Sequence, residues 1–136
     1  MKIQVETNIN SDIDKVWSAW ITPDDINKWN AAPEDWHNPE SRIDLKPGGT
    51  FSYRMEAKDG SMGFDFEGTY TKVIDKNLIE YIMADGREVM VEFIRLDNSV
   101  KVIETFDAET INDPELQRHG WQSILNNFRK HVEAEK

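Results

Sequence analysis

Residues 113–134, which read DPELQRHGWQSILNNFRKHVEA, predict one long amphipathic helix. Asp113 is a good N-cap because its carboxylate can accept hydrogen bonds from the free N–H groups of the first turn, and Pro114 suits the first helical position. Such a helix is about 30 Å long, so the strands upstream must supply an apolar surface of that length. Apolar residues recur at spacings of three and four, which places one stripe on the helix: Leu116, Trp121, Ile124, Leu125, Phe128 and Val132.

The start of the chain predicts one strand and two short helices. Residues 2–9 alternate between apolar and polar side chains, which is typical of a half-buried strand. Apolar residues then recur at helical spacing over residues 13–20, and Ser11 with Asp14 resembles a capping box that would open this helix. Pro23 predicts the start of a second helix, since proline suits the first helical position.

The middle of the chain predicts strands joined by short turns. Residues 30–40, NAAPEDWHNPE, are interpreted as irregular, because Pro33 and Pro39 interrupt any regular pattern. Gly68 lies inside a long strand pattern and predicts a bulge or bend that would curve the sheet. Because the turns are short, neighbouring strands should pair antiparallel. Strands are predicted over residues 41–45, 50–56, 63–73, 78–83, 87–95 and 99–106.

This order of elements indicates a single α+β domain over residues 1–136. We expect a curved antiparallel sheet of about six to seven strands that wraps around the long C-terminal helix, with two short helices after the first strand. A concave sheet and a helix do not close against each other everywhere, so this arrangement tends to leave a cavity between them.

Composition disfavours several classes of partner. The chain has 16 Lys and Arg against 26 Asp and Glu, a net charge of −10, which disfavours nucleic acids and anionic membranes. It has no cysteine, and its three histidines are not at metal-ligand spacing, so we expect no metal and no cofactor. The polar start and the lack of a long apolar run favour a soluble, cytoplasmic protein.

Four segments carry a resemblance that runs nearly end to end. They are IDKVWSAWITPDDINKW at 13–29, DLKPGGTFSYRMEAKDGSMGFDFEGTY at 44–70, ETF at 104–106 and GWQSILNNFRKHVE at 120–133. With these the chain resembles the START-like (SRPBCC, helix-grip) superfamily, in the branch similar to the C-terminal domain of activators of Hsp90 ATPase. The resemblance implies the helix-grip fold and a cavity that holds apolar or aromatic molecules, or else a co-chaperone role. It implies no shared catalytic motif, so fold does not settle activity.

The tryptophans are the first candidates for a ligand site. Five occur in this small chain. Core packing is the favoured interpretation of Trp17 and Trp121, although Trp121 could also form the floor of a cavity. Trp29 and Trp36 lie at or in the irregular segment, where they could either pack in the core or form the mouth of a pocket.

Polar residues on predicted strands are the second set of candidates. Glu104 shares the strand parity of Val102 and Phe106, so it points inward unless a bulge turns it outward. Arg54 and Asp65 lie on adjacent predicted strands, where they could form a surface ion pair or the polar end of a cavity.

Three functions remain open. The first is binding of a small apolar or aromatic molecule, the second a protein-binding module that acts on an Hsp90-type ATPase, and the third an enzyme of cyclase or hydrolase type with His37 or Glu104 as base. No covalent nucleophile is expected, because the chain has no G-x-S-x-G motif and no cysteine. The residues predicted to contact a ligand are Trp29, Trp36, His37, Arg54, Met62, Phe64, Asp65, Glu104 and Trp121.

Overall fold

The computed structural model describes residues 1–31 and 35–134, and its architecture is the α+β helix-grip arrangement that the sequence predicts. Seven strands and three helices follow one another along the chain. They are β1 (Lys2–Ile9), α1 (Ile13–Ile21), α2 (Pro23–Trp29), β2 (Trp36–Ile43), β3 (Thr50–Ala57), β4 (Gly63–Ile74), β5 (Leu78–Met83), β6 (Glu88–Arg95), β7 (Val100–Asp107) and α3 (Pro114–Ala134).

The strands form one curled antiparallel sheet in the order β1-β7-β6-β5-β4-β3-β2. Six of the seven strands pair with their neighbour in sequence, as short turns require. The first strand pairs instead with the last, β7, so β1 closes one edge of the sheet beside α3. Strands β1 and β3 to β7 contribute buried apolar residues to one core with Leu125, Phe128 and Val132 of α3, which agrees with the predicted packing of sheet around helix.

Helix α3 covers the free edge of β1 with polar side chains. Arg118 Nη1 donates to the carbonyl of Gln4 at 2.8 Å, and Gln122 Nε2 donates to the carbonyl of Glu6 at 3.0 Å. An edge strand otherwise leaves a row of backbone groups open to pairing with another chain. The polar side of the helix therefore satisfies this part of the sheet edge.

The segment predicted to be irregular is partly a strand, so that prediction was wrong for residues 36–40. Strand β2 begins at Trp36 and tolerates Pro39 because a bulge interrupts its pairing with β3 between His37 and Glu40. Asn38 is buried at this bulge, where its amide donates to Asn27 Oδ1 at 3.0 Å and its oxygen accepts from Asn30. These bonds attach β2 to α2. Pro33 lies outside the described residues.

Two local predictions also need correction. The bulge in β4 lies between Tyr70 and Lys72, not at Gly68. Gly68 is required for a different reason, since a Cβ there would lie 2.7 Å from the ring of Phe51. The cap of α1 is Asp12 rather than Ser11, and its carboxylate accepts from the backbone N–H of Lys15 at 2.9 Å.

Burial changes along α3. Leu125 and Phe128 are fully buried, whereas Trp121 is half-buried and Leu116 is exposed, contrary to the prediction that the whole stripe packs in the core. Near the C-terminal end the rings of Trp20, Trp29 and Phe128 contact one another, with each pair of centroids 4.8 Å apart. The C-terminal half of α3 is therefore packed in the core, whereas space remains beside its N-terminal half.

Candidate functional site

A cavity of about 540 Å³ occupies the space between the N-terminal half of α3 and the sheet. Gly120, Trp121 and Ile124 line it from the helix. Trp20 and Trp29 lie at the end where α1 and α2 pack. Its size is within the range of small-molecule sites, which typically run from about 300 to 1,000 Å³.

The walls of the cavity are mainly aromatic. Alternation in β3, β4 and β5 points Tyr53, Phe66 and Tyr81 inward. Trp121 stacks on Phe106 with ring centroids 3.9 Å apart and an interplanar angle of 11°, so its ring is held flat against the sheet. Phe66 meets the edge of Trp121 at 6.4 Å. These rings offer flat, apolar surfaces to anything that enters.

Among the described residues, Glu104 is the one carboxyl that a strand contributes to the cavity wall. It lies between Val102 and Phe106 on β7, and unbroken pairing with Val5 on one side and Val91 on the other excludes a bulge. Only 6% of its surface is exposed. Within residues 1–31 and 35–134, no side chain donates a hydrogen bond to this carboxyl and no cation lies at ion-pair distance.

Desolvation raises the pKa of Glu104 to about 8. At neutral pH the carboxyl is therefore mostly protonated while the cavity is empty. Burial also raises the pKa of Tyr53 and of Tyr81, and the nearby Glu104 charge raises both further. Tyr53 shares a hydrogen bond with the hydroxyl of Tyr70. The two tyrosines beside Glu104 thus stay neutral and can act as hydrogen-bond donors.

The mouth of the cavity has polar and charged residues that are already engaged. Arg87 Nε lies 2.8 Å from Asp85 Oδ2. The backbone N–H of Glu109 donates to Gln117 Oε1 at 2.9 Å, and Gln117 Nε2 donates to the carbonyl of Asn112 at 2.8 Å. These bonds tie the first turns of α3 to the segment that precedes it and so fix the position of the mouth.

Among the described residues, no three histidine, aspartate or glutamate side chains are placed to hold a metal ion. His37 Nε2 lies 3.5 Å from Glu56, and His131 Nε2 lies 2.9 Å from Asp25, at separate places in the fold. Within the same part of the chain, no helix has the length and apolar character needed to cross a membrane.

Comparison with known proteins assigns the family. The model of the family described as Activator of Hsp90 ATPase homolog 1-like protein matches residues 10–133. The chain belongs to this family. No curated protein sequence matches the chain.

Solved structures of similar proteins agree with this family and fold. An AHSA1-like protein from Aeromonas hydrophila, solved by NMR, is 51% identical with a TM-score of 0.93, and the match covers 99% of this chain and 94% of that one. A protein from Cytophaga hutchinsonii is 46% identical with a TM-score of 0.85, covering 98% and 93% of the two chains. A protein from Nitrosomonas europaea is only 17% identical, covering 99% and 96%, yet its TM-score of 0.85 shows the same fold.

In this member of the Activator of Hsp90 ATPase homolog 1-like family, five of the residues predicted to contact a ligand line the cavity. They are Trp29, Trp36, Phe64, Glu104 and Trp121. Trp36 and Phe64 lie together, with ring centroids 5.8 Å apart. Trp29 is nearly fully buried, so it contributes to the core as well as to the cavity.

The other four residues predicted to contact a ligand do not line the cavity. Arg54 alternates with Tyr53 and Met55, so it lies on the opposite face of the sheet, where Nη1 is 3.5 Å from Asp65 Oδ1 and Nε is 2.9 Å from Glu56. His37 reaches the same Glu56. Of the two possibilities predicted for Arg54 and Asp65, the structure therefore has the surface ion pair and not the polar end of a cavity. Met62 precedes β4 and is 64% exposed, because it lies in the turn between β3 and β4.

Several residues that line the cavity were not predicted from the sequence. Strand parity alone could have identified Tyr53, Phe66 and Tyr81, since each alternates with residues on the opposite face. Gln117 had no such signal. It is polar, although it lies four residues before Trp121 and seven before Ile124 on the face of the apolar stripe, and its hydrogen bonds to the preceding segment satisfy its amide where it is buried.

Proposed function

We propose that this protein binds a small apolar or aromatic molecule in the cavity beside the N-terminal half of α3. The observation that carries the proposal is an aromatic-walled space of about 540 Å³ with a buried, unpaired carboxyl on its wall. A core that served stability alone would fill such a space, because interiors are otherwise close-packed. Trp29, Trp36, Phe64 and Trp121 would contact the apolar part of the ligand, and Glu104 would orient it.

Gly120 offers a direct test. It lines the cavity, and a Cβ added there meets nothing within 4 Å, so Gly120→Leu extends a side chain toward the cavity without a backbone clash. Helix propensity favours the change by up to about 1 kcal/mol. We expect Gly120→Leu to weaken binding of the fluorescent apolar probe N-phenylnaphthylamine by at least about tenfold while the melting temperature stays the same or rises.

The matched control is His119→Leu, which adds an apolar side chain at an exposed position of the same helix that does not line the cavity. It should bind the probe as the unmodified protein does. Equal binding by the Gly120→Leu variant would contradict the proposal. Independently of the probe, native mass spectrometry of protein purified from its own host would identify any molecule that the cavity retains.

An enzyme of cyclase or hydrolase type is a second candidate, favoured by one observation. A carboxyl with a pKa of about 8 inside a cavity is mostly protonated at neutral pH, yet its ionised form is a stronger base than an ordinary carboxylate. If Glu104 is a general base, Glu104→Gln abolishes turnover of aryl ester substrates without changing their binding. His37 is not offered as the base, because it does not line the cavity.

A protein-binding role on an Hsp90-type ATPase is a third candidate. The family description supports it, as do the apolar side chains of Phe64 and Leu116, which are 48% and 60% exposed where they line the cavity. If this face docks on such an ATPase, the protein changes the rate of ATP hydrolysis by the ATPase and Leu116→Ser removes the effect. An unchanged rate with the unmodified protein would rule this candidate out.

A further inference from the structure

We propose that the ligand of this cavity is an organic cation, an aryl- or alkylammonium ion whose charged group lies against Glu104. The inference rests on the proposed binding function and names the chemical class of the ligand. Its starting point is geometric, since Glu104 is a buried carboxyl at the cavity wall with no partner among the described residues.

A buried carboxylate without a partner is costly, so proteins normally pair it with a cation or a hydrogen-bond donor. The neighbours of Glu104 in the sheet supply neither, because Val5 and Val91 are the residues directly opposite it on the two adjacent strands. Glu104 lines the cavity. An ammonium group that enters would provide the missing positive charge.

The surrounding rings suit a cation as well as an apolar group. Tyr53 and Phe66 lie parallel, with an interplanar angle of 10° and centroids 6.2 Å apart, and Phe66 meets Trp121. Aromatic faces attract ammonium groups through their quadrupole, most strongly where water is excluded. The same walls that hold an aryl or alkyl tail therefore also favour a positively charged head.

The remaining charges on the cavity also favour a cation. Its lining residues include two carboxyls, Glu104 and Glu109, and one guanidinium, Arg87, which is paired with Asp85. The whole chain carries a net charge of −10, which attracts cations and repels anions. An anionic ligand would have to approach the buried carboxyl of Glu104 with no free cation beside it.

The proposal predicts a particular pH dependence. The titratable groups that interact with Glu104 are the hydroxyls of Tyr53 and Tyr81, which remain neutral because burial raises their pKa, whereas neither Arg87 nor Glu109 shifts the pKa of Glu104. Glu104 must release its proton to pair with a cation. Below its pKa of about 8, affinity for a cation should therefore fall by up to about tenfold per pH unit.

The test compares the naphthylmethyl-trimethylammonium ion with its uncharged isostere, in which carbon replaces nitrogen. The charge of the probe does not titrate, so any pH dependence belongs to the protein. We expect the cation to bind at least about tenfold more tightly than the isostere at pH 9, and to lose affinity as pH falls toward 6. Calorimetry at pH 7 in buffers of different ionisation enthalpy should detect release of close to one proton per cation bound.

Variants separate this inference from the proposed function. Glu104→Gln keeps the shape of the side chain, so it should retain binding of the isostere and lose the preference for the cation. Glu92→Gln, on the outer face of the adjacent strand β6, should leave both affinities unchanged. If Glu104→Gln does not fold, the pH dependence of the unmodified protein still decides the question.

Binding of the isostere as tightly as the cation at pH 9, or affinity for the cation that rises as pH falls, would overturn this inference and leave the proposed function intact. Failure of both probes to bind at any pH would overturn both.

Discussion

Glu104 should dominate the pH dependence of the free energy of unfolding when no ligand is bound. Its pKa rises from 4.5 to about 8 on folding, so between those values the folded chain holds a proton that the unfolded chain has lost. The free energy of unfolding should therefore fall as pH rises through this window, by up to about 1.4 kcal/mol per pH unit. We expect a total loss on the order of 3–5 kcal/mol between pH 5 and pH 9, measured by urea denaturation.

The carboxyls with lowered pKa affect stability in a different pH range, and there the free energy of unfolding rises with pH. The hydrogen bond from Lys2 lowers the pKa of Asp107 below 3.8, so this pair contributes stability that is lost only as pH falls below that value.

The variant Glu104→Gln should have a nearly constant free energy of unfolding between pH 5 and 9, whereas Glu92→Gln should show the same decrease as the unmodified protein. If the free energy of unfolding of the Glu104→Gln variant falls by the same amount between pH 5 and pH 9, groups other than Glu104 cause the decrease.

Gly68 makes a second prediction at the scale of one residue. A Cβ there would lie 2.7 Å from the Phe51 ring and 2.9 Å from the carbonyl oxygen of Ile82, and the backbone oxygen cannot rotate away. We expect Gly68→Ala to lower the free energy of unfolding by about 1–3 kcal/mol. Gly120→Ala is the matched control, because it adds a methyl group in open space and should stabilise the helix by up to about 1 kcal/mol. Equal stability of both variants would show that the sheet relaxes around Gly68.

Helix α3 is the element whose two halves have different roles. Phe128 in the C-terminal half is 0% exposed and contacts Trp20 and Trp29, so Phe128→Ala should cost about 3–5 kcal/mol in chemical denaturation. Leu116 in the N-terminal half is 60% exposed, so Leu116→Ala should cost less than about 0.5 kcal/mol. A loss below 1 kcal/mol for Phe128→Ala would show that this half of the helix does not carry the core.

At the scale of the whole molecule, folding should not depend on a metal ion. Hydrophobic packing of sheet against helix accounts for the core, and the described part of the chain presents no set of three metal-ligating side chains. We expect excess chelator to leave the melting temperature unchanged, since metal binding stabilises a fold only where ligands couple it to folding. A fall of several degrees on chelation, reversed by adding back a divalent ion, would contradict this expectation.

Most of the elements could be predicted because periodicity is a local property. The predicted strand at residues 78–83 matches β5, and the predicted C-terminal helix matches α3, which begins at Pro114. Asp113 caps that helix as expected, accepting from the backbone N–H of Glu115 at 2.8 Å. The placement of Glu104 on the inner face followed from the same alternation, and β7 has no bulge to reverse it.

The errors arose where distant segments decide local structure. Pro39 has no backbone N–H to donate, but pairing with β3 and the hydrogen bonds of the Asn38 amide stabilise strand β2. The partners in these contacts lie outside residues 36–40, so that segment alone does not show them. The placement of Arg54 at the cavity was a different kind of error, because its alternation with Tyr53 and Met55 in the sequence already put it on the opposite face of the sheet.

The sequence by itself determined which side of each element is apolar, and short turns then required an antiparallel sheet with a helix across it. The tertiary structure decided how far that helix lies from the sheet at each point. Leu116 and Phe128 belong to the same stripe in the sequence, yet one is exposed beside a cavity and the other is fully buried. The physical reason is that periodicity sets the direction of a side chain, whereas the curl of the sheet sets the distance to the surface opposite it.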